Sequence, residues 1–254
     1  MSELSLPHFR FDHVFLNTTT PEAYLELGVA GFEIDPTYFS KHADSAISKA
    51  VRFHDSYLEY VELPKREGSE GSSNALQPGF SVRSELSLSD LLKWCRENEL
   101  QEFGPEVSQG ESKAQGMVSK FGYLTFEKPL TAGIEFWVTE YETERTWNPN
   151  HPNSAKNFIG AIWDLPPNHP IGLFLNNCDD FQINPEHLMS IPRGKIPPSG
   201  LSSLILSASD EDKAKNYFGD PVLSTPEHTV FFHALPGKEF DLLIDIDHRK
   251  SSNA

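Results

Sequence analysis

One stretch of the sequence, residues 10–63, constrains the fold more than any other. It begins with FDHVFLNT, in which the side chains alternate between two faces as in a half-buried β-strand. Thr20, Pro21 and Gly28 then predict a short helix, with Thr20 as its N-cap and Pro21 at its first position. Three more strands are predicted, at residues 31–38, 47–54 and 57–63. The segment is therefore expected to form a β-α-β-β-β module.

The rest of the chain repeats this order in a weaker form, which indicates an internal duplication. Four modules are predicted, at about residues 10–63, 79–141, 157–190 and 201–246. Polar loops are expected at residues 65–78 and 105–116, and residues 171–176 are expected to form a strand with no helix before it. The turn-rich segment 141–156 divides the chain into two domains, residues 1–145 and 146–254. The predicted fold class is α+β, with tandem modules, curled mixed sheets and helices packed outside.

Composition excludes several functions. The formal net charge of −16 disfavours nucleic acid and anionic lipid surfaces, which bind proteins through Lys and Arg. No apolar run approaches the roughly 20 residues of a membrane helix. The first residues, MSELSLPHFR, have no basic flank and no apolar core of a signal peptide, so a cytoplasmic location is expected. Cys95 and Cys178 are expected to be reduced and structural.

Three motifs together resemble one family. FDHVFLNT, RFHDSYLEYVEL, and IEFWVTEY followed by NHPNSA are similar to sequences of glyoxalase-like domain proteins in the vicinal oxygen chelate superfamily. That superfamily includes glyoxalase I and the extradiol dioxygenases. The resemblance implies that two modules pack side by side around a cavity. It also implies that the first and last strands of a module each offer a ligand to a divalent metal ion.

The resemblance points to a specific set of metal ligands. The matching positions are His13 and Glu59 in the first module, and Ser81 and Glu135 in the second. Leu58 and Tyr60 flank Glu59, Ile134 and Phe136 flank Glu135, and Val14 follows His13, so strand alternation independently puts all three candidate ligands on the inner face. One imidazole and two carboxylates suit Fe(II), Mn(II), Zn(II) or Ni(II). Ser81 is a poor ligand, so the site holds three ligands, or water fills the gap, or the metal has been lost.

Other residues predicted on this face have two interpretations each. Arg83 binds a substrate carboxylate or compensates buried acids, including Glu135. Phe15, Tyr57 and Trp137 stack on a substrate or pack in the core. His13 is a metal ligand or a hydrogen-bonded strand histidine, and Glu59 is a ligand or an exposed carboxylate. Glu135 is in addition the expected catalytic carboxylate.

The second half of the sequence offers fewer candidate metal ligands. The positions equivalent to His13 are Gly160 and Ser203, so this half is interpreted as a structural partner. His228 and His233 are five residues apart and lie on opposite faces of one strand. His151, in the NHPNSA segment, is assigned with Asn153 to a loop turn.

These observations lead to one functional hypothesis and two rivals. The first is a divalent-metal-dependent isomerase, lyase or dioxygenase that acts on a small oxygenated molecule. The second is a metal-free protein that binds or sequesters a small molecule with the same fold. The third is a scaffold whose cavity is filled by its own side chains. Because four modules can pair within one chain, a monomer is preferred, although a homodimer stays open.

Overall fold

The computed structural model describes most of the chain. The described residues are 7–18, 24–35, 39–42, 46–62, 78–114, 117–131, 134–142, 147–166, 168–192, 200–235 and 240–251. The predicted helix start at Thr20 and Pro21 lies outside them, as do residues 63–77, most of the expected loop 65–78.

The first half of the chain forms eight strands that close into a barrel. These strands are β1 Phe9–Thr18, β2 Ser40–His42, β3 Ile47–Arg52, β4 Tyr57–Glu62, β5 Pro78–Ser84, β6 Pro105–Ala114, β7 Met117–Phe126 and β8 Glu135–Tyr141. Their order around the barrel is β1-β4-β3-β2-β6-β7-β8-β5. β1 pairs in parallel with β4, β5 pairs in parallel with β8, and β1 and β5 are antiparallel neighbours. The first and last strands of each module therefore lie side by side.

The second half forms an open sheet of six strands. They are β9 Ala155–Trp163, β10 Gln182–Ile183, β11 Leu201–Ala208, β12 Leu223–Ser224, β13 His228–His233 and β14 Asp241–Asp247. Their order is β10-β9-β11-β14-β13-β12, with β11 parallel to β14 and antiparallel to β9. This repeats the pairing in the barrel, but the third module keeps only β9 and the short β10 among the described residues. The predicted fold class, with tandem modules and curled mixed sheets, is confirmed.

Five helices occur in the described residues, and none of them is long. They are α1 Glu26–Val29, α2 Leu88–Glu97, α3 Gly172–Leu175, α4 Glu211–Phe218 and α5 His248–Ser251. Ser87 caps α2 by accepting a hydrogen bond from the Asp90 N–H, and Asp210 caps α4 in the same way through the Lys213 N–H. In the part of the chain that the structure describes, no helix is long and apolar enough to cross a membrane.

Three predicted elements are wrong. Residues 31–35 form no strand, and the second strand of the module is Ser40–His42 instead. The expected polar loop at 105–116 contains the ten-residue strand β6. Residues 171–176, expected to be a strand, contain the helix α3. Its four-residue apolar sequence is too short for periodicity to distinguish a helix from a strand.

An aromatic core joins the barrel to the second sheet. The ring of Phe11 in β1 stacks on Phe181 with centroids 4.1 Å apart, and Phe80 in β5 stacks on Trp163 in β9 at 5.0 Å. Phe158 contacts Phe11 edge to face at 5.8 Å. All five side chains are buried, so the two sheets share one hydrophobic core.

One face of the second sheet is packed with apolar side chains that are separate from the main core. Ile162, Ile205, Val230 and Leu243 form a separate apolar cluster there, together with Leu188 from the short 3-10 turn Glu186–Leu188. The barrel, in contrast, keeps an open cavity at its centre. The space for a small molecule therefore lies in the first half.

Candidate active site

The barrel encloses a cavity of about 530 Å³. Because side chains alternate along a strand, every second residue in the central parts of β1, β4 and β8 points into it. β1, β4 and β8 supply His13, Phe15, Asn17, Tyr57, Glu59, Val61, Glu135, Trp137, Thr139 and Tyr141. Six of the seven site residues predicted from the sequence thus line one cavity, and the exception is Arg83.

Strand register arranges these side chains in two rows across β4, β1, β5 and β8. The pairings Glu59 with Phe15, Phe15 with Gly79 and Gly79 with Glu135 define one row. The next row contains Tyr57, His13, Ser81 and Trp137 in the same strand order. His13 therefore lies one row away from Glu59 on a neighbouring strand, which brings the two side chains together.

A β-bulge changes the alternation at Asp12. Phe11 pairs with Val82 and His13 with Ser81, so β1 has an extra residue at this point relative to β5. As a result the adjacent side chains of Asp12 and His13 lie on the same side and contact each other: His13 Nδ1 is 2.7 Å from Asp12 Oδ2. Both are almost completely buried, at 2% and 3% exposure.

His13 presents its other ring nitrogen to the cavity. Nε2 is buried and has no hydrogen-bond partner among the described residues. It lies 3.8 Å from Glu59 Oε2, and the ring stacks on Tyr57 with centroids 4.3 Å apart. The alternative interpretation of His13, as a hydrogen-bonded strand histidine, therefore accounts for Nδ1 only.

Asp12 is the centre of a buried polar network. It accepts a hydrogen bond from the Tyr141 hydroxyl at 2.7 Å, and the Tyr57 hydroxyl lies 3.0 Å from that of Tyr141. Arg83 Nε forms an ion pair with Asp12 Oδ1 at 3.2 Å. Burial alone would raise the pKa of Asp12, but the hydrogen bond and charge of His13, with the charge of Arg83, lower it overall. Burial first, and then Tyr141 and the nearby carboxylates, raises the pKa of Tyr57, which remains a protonated phenol.

The structure gives Arg83 and Ser81 definite partners. Besides its ion pair with Asp12, Arg83 donates a hydrogen bond from a terminal nitrogen to the Asp55 carbonyl at 2.9 Å. The buried Ser81 hydroxyl lies 2.7 Å from that of Thr139. The position at which the resemblance expects a further ligand is thus occupied by a hydrogen-bonded pair of hydroxyls.

Glu135 lines the same cavity but does not join His13 and Glu59. The ligand atoms of these three residues do not all lie within 4.8 Å of one another. The ring of Phe15 lies over Gly79, between the two glutamates of the row, and stacks on Trp137 with centroids 4.1 Å apart. Glu135 is solvent-exposed, yet the protein around it reduces its hydration and raises the pKa of its carboxyl.

His42 is a cavity residue that the sequence did not reveal. Its Nε2 lies 3.7 Å from Glu59 Oε1 and 2.9 Å from the Ser48 hydroxyl. Glu59 therefore lies between two histidines, His13 on one oxygen and His42 on the other. A three-residue strand such as SKH has too short a pattern to predict which face its histidine occupies.

A second histidine cluster lies in the open sheet. The ligand atoms of His187, His228 and Asp245 all lie within 4.8 Å of one another, so they could hold a divalent metal ion. His187 Nε2 and His228 Nδ1 each lie close to one oxygen of Asp245, at 2.9 and 3.0 Å. The sequence analysis missed this group because His187 lies in a 3-10 turn, far from both strands along the chain.

The present arrangement of this cluster is that of a hydrogen-bonded network. The two imidazole rings stack with centroids 3.9 Å apart and planes 19° from parallel, so a metal ion cannot lie in both ring planes unless one ring turns. Arg249 lies 3.0 Å from His228 Nε2 and can only donate. Because Nε2 accepts from Arg249, the proton of a neutral His228 ring lies on Nδ1. Nδ1 is the nitrogen that faces Asp245, where a metal ion would have to bind.

His151 and Asn153 connect the segment after the barrel to the first module. His151 accepts a hydrogen bond at Nδ1 from the Glu33 N–H at 2.7 Å, and its Nε2–H donates to the Arg52 carbonyl at 2.8 Å. Asn153 donates to the Ala30 carbonyl at 2.8 Å. Burial lowers the pKa of His151, which is consistent with a neutral ring. These two side chains stabilise a turn, as expected, and do not line the cavity.

Comparisons with known proteins identify relatives by structure only. No family model and no curated protein matches the chain. Catechol 2,3-dioxygenase matches with a TM-score of 0.50 and 10% identity, over 93% of this chain and 87% of that chain. A 2,2',3-trihydroxybiphenyl 1,2-dioxygenase from Sphingomonas wittichii has a TM-score of 0.48, with 10% identity and coverage of 94% and 90%. A hypothetical protein from Staphylococcus aureus has a TM-score of 0.40, with 11% identity and coverage of 94% and 86%.

The likeness to catechol 2,3-dioxygenase extends over both halves of the chain. That enzyme is an extradiol dioxygenase, and the parallel pairing of first and last strands in each module agrees with the same architecture. The chain therefore has the vicinal oxygen chelate fold. At 10% identity the comparison shows the fold alone.

Proposed function

We propose that the barrel cavity is the active site of an enzyme for a small oxygenated molecule, and that His13 and Glu59 hold a divalent metal ion there. The observation that carries this proposal is the Nε2 atom of His13, which is buried, has no hydrogen-bond partner among the described residues and faces Glu59. Leaving such an atom unpaired costs about 1–3 kcal/mol, so buried polar atoms normally have a partner. A metal ion or a bound substrate in the cavity would supply one.

The donor atoms fit such an ion. Nε2 of His13 and Oε2 of Glu59 are 3.8 Å apart. Two bonds of about 2.1 Å each can span up to about 4.2 Å, so one ion can bind both atoms. Nitrogen and carboxylate oxygen together suit Fe(II), Mn(II), Zn(II) or Ni(II). When bound, the ion would polarise vicinal oxygens of a substrate and stabilise negative charge on them.

The protein's own groups would do the remaining work. Glu135, which completes the ligand set implied by the resemblance, is better suited here to transfer a proton, because desolvation by the surrounding protein raises the pKa of its carboxyl. The aromatic rings of Phe15, Tyr57 and Trp137 would bind the apolar part of a substrate and exclude water. An isomerase, a lyase or a dioxygenase of this fold could use these features, and the proposal is made for that group of reactions.

A metal-free binding protein is the alternative, and one observation favours it. Ser81 is hydrogen-bonded to Thr139, and Glu135 is not gathered with His13 and Glu59. Two ligands alone make a weak site. In that case His13 Nε2 would accept a hydrogen bond from the ligand, and the aromatic rings would supply most of the affinity.

Metal content distinguishes the two functions. It also distinguishes the two candidate metal sites, His13 with Glu59 in the barrel and His187 with His228 and Asp245 in the second sheet. Protein purified without a histidine tag would be incubated with Fe(II), Mn(II), Zn(II) or Ni(II), desalted and measured by plasma mass spectrometry. The variants are His13→Ala, Glu59→Ala and His187→Ala, and His54→Ala serves as a control because His54 lies outside both clusters.

We expect near-stoichiometric metal in the wild type, in His187→Ala and in His54→Ala, and at least a tenfold weaker affinity in His13→Ala and Glu59→Ala. Metal that disappears only in His187→Ala would move the ion to the second sheet and overturn the proposed site. A wild type that binds none of the four ions would leave the metal-free binding protein as the function.

A further inference from the structure

We infer that Asp12 is a positioning residue, which keeps the His13 proton on Nδ1 so that the Nε2 lone pair points into the cavity. The inference deepens the proposed function, on which its relevance to metal or substrate binding rests. It is independent of which reaction the cavity performs. Three features of the molecule lead to it.

The first feature is the charge state of the Asp12 carboxyl. His13, Tyr141 and Arg83 surround it, and all three contacts favour the ionised form. An ionised carboxylate has only acceptors. His13 Nδ1, at 2.7 Å, must therefore carry a hydrogen and donate it to Asp12 Oδ2.

The second feature is the direction of the two ring nitrogens, because a neutral imidazole has one N–H and one lone pair. With the proton on Nδ1, the lone pair is on Nε2, which is the atom that faces Glu59 and the cavity. Only this tautomer can bind a metal ion or accept a proton from a substrate through Nε2.

The third feature is the geometry that makes the contact possible. In a regular strand, adjacent side chains point to opposite faces, so residues 12 and 13 could not touch. The bulge between Phe11 and His13 removes that restriction, and the N–H of Phe11 bonds to Asp180 Oδ1 at 3.0 Å. The second half of the chain thus helps to hold the bulge that brings Asp12 to His13.

An Asp12→Asn variant tests the inference because the amide has one acceptor and one donor group. The positive charge of Arg83 favours the amide oxygen on its side, which leaves the NH₂ group facing His13 and Tyr141. His13 Nδ1 must then accept, and the proton moves to Nε2. Tyr141→Phe is the matched control, because it removes the other hydrogen bond on the same carboxylate oxygen and leaves the carboxylate in place.

The measurement is a long-range ¹H–¹⁵N correlation spectrum of protein labelled at histidine. It would be recorded without metal at about pH 8, above the ordinary histidine pKa of about 6.5. His13→Gln identifies the His13 signals by their loss. We expect the Nδ1–H tautomer in wild type and in Tyr141→Phe, and the Nε2–H tautomer in Asp12→Asn. Metal affinity in Asp12→Asn should fall about 10- to 100-fold, as for other carboxylates behind a ligating histidine.

The outcomes separate this inference from the proposed function. If the wild type binds no metal, the proposed metal site is wrong. The His13 tautomer would still test whether Asp12 positions the proton. An Nε2–H tautomer in the wild type would overturn the inference, even if Asp12→Asn failed to fold. The inference would also be overturned if a folded Asp12→Asn kept the wild-type His13 tautomer, or if Tyr141→Phe changed that tautomer.

Discussion

A single glycine allows the aromatic wall of the cavity to form. Gly79 in β5 pairs with Phe15 in β1, and the Phe15 ring lies directly over the Gly79 backbone. In this position the ring reaches Trp137 and stacks on it. A side chain at position 79 would overlap the ring, so the hydrogen atom of glycine is what the site requires.

Replacing this glycine should therefore damage both stability and the cavity. We expect Gly79→Ala to lower the free energy of unfolding by about 1–3 kcal/mol, the usual cost of overpacking, because the Phe15 ring must leave Trp137. Urea denaturation measures the loss, and tryptophan fluorescence reports the changed stack. In a Phe15→Ala background the same substitution should cost much less, since the obstacle is gone. Equal costs in both backgrounds would contradict this account.

At the scale of elements, the segment after the barrel is fixed by hydrogen bonds more than by regular structure. Residues 147–154 form no helix or strand among the described residues. His151 nevertheless connects two parts of the first module, through the Glu33 N–H and the Arg52 carbonyl. Its ring also packs against Phe32 and Phe53, with centroids 5.7 and 5.1 Å away. This buried ring has no room for a second proton, because Nδ1 already accepts.

The stability contributed by His151 should depend on pH. Burial lowers its pKa in the folded state, so below the unfolded pKa of about 6.5 the unfolded chain binds a proton that the folded chain does not. Stability is therefore complete above about pH 7 and falls as pH decreases through about 6.5. We expect His151→Gln to cost about 1–3 kcal/mol at pH 7.5 and less at pH 5.5 in chemical denaturation. His8→Gln, at an exposed histidine, is the control and should change stability little at pH 7.5, whereas a cost of His151→Gln that is the same at both pH values would contradict this prediction.

Which elements the sequence predicts depends on how each strand is buried. β1, β4 and β8 were predicted because each has one apolar face and one mixed face. β6 was missed because most of its residues, PEVSQGESKA, are polar, so no apolar alternation marks the strand. Strand parity correctly gathered His13, Glu59 and Glu135 in one cavity. It could not predict the contact of Asp12 with His13, because a bulge breaks the alternation on which parity depends.

At the scale of the whole molecule, the second half packs against the barrel, and an apolar cluster covers the other face of its sheet. Residues 177–181 lie against the start of β1: the Phe9 N–H donates to the Asn177 carbonyl at 3.0 Å, and the Phe11 N–H to Asp180. Phe181 then covers the ring of Phe11. The role of this half as a structural partner stays a prediction, as does the division at residue 145, because the His187, His228 and Asp245 group could itself hold a metal ion.

Because one core serves both sheets, the chain should unfold in a single transition. Phe181→Ala removes a fully buried ring from the junction, and we expect it to lower the free energy of unfolding by about 3–5 kcal/mol. Circular dichroism and tryptophan fluorescence should still give the same midpoint, since Trp137 lies in the barrel and Trp163 in the second sheet. Phe232→Ala, at a ring that is 42% exposed, is the control and should change stability little. Two separate transitions in the wild type would mean that the two sheets unfold independently. The bulge at Asp12 would then have to be stabilised by contacts within the barrel itself.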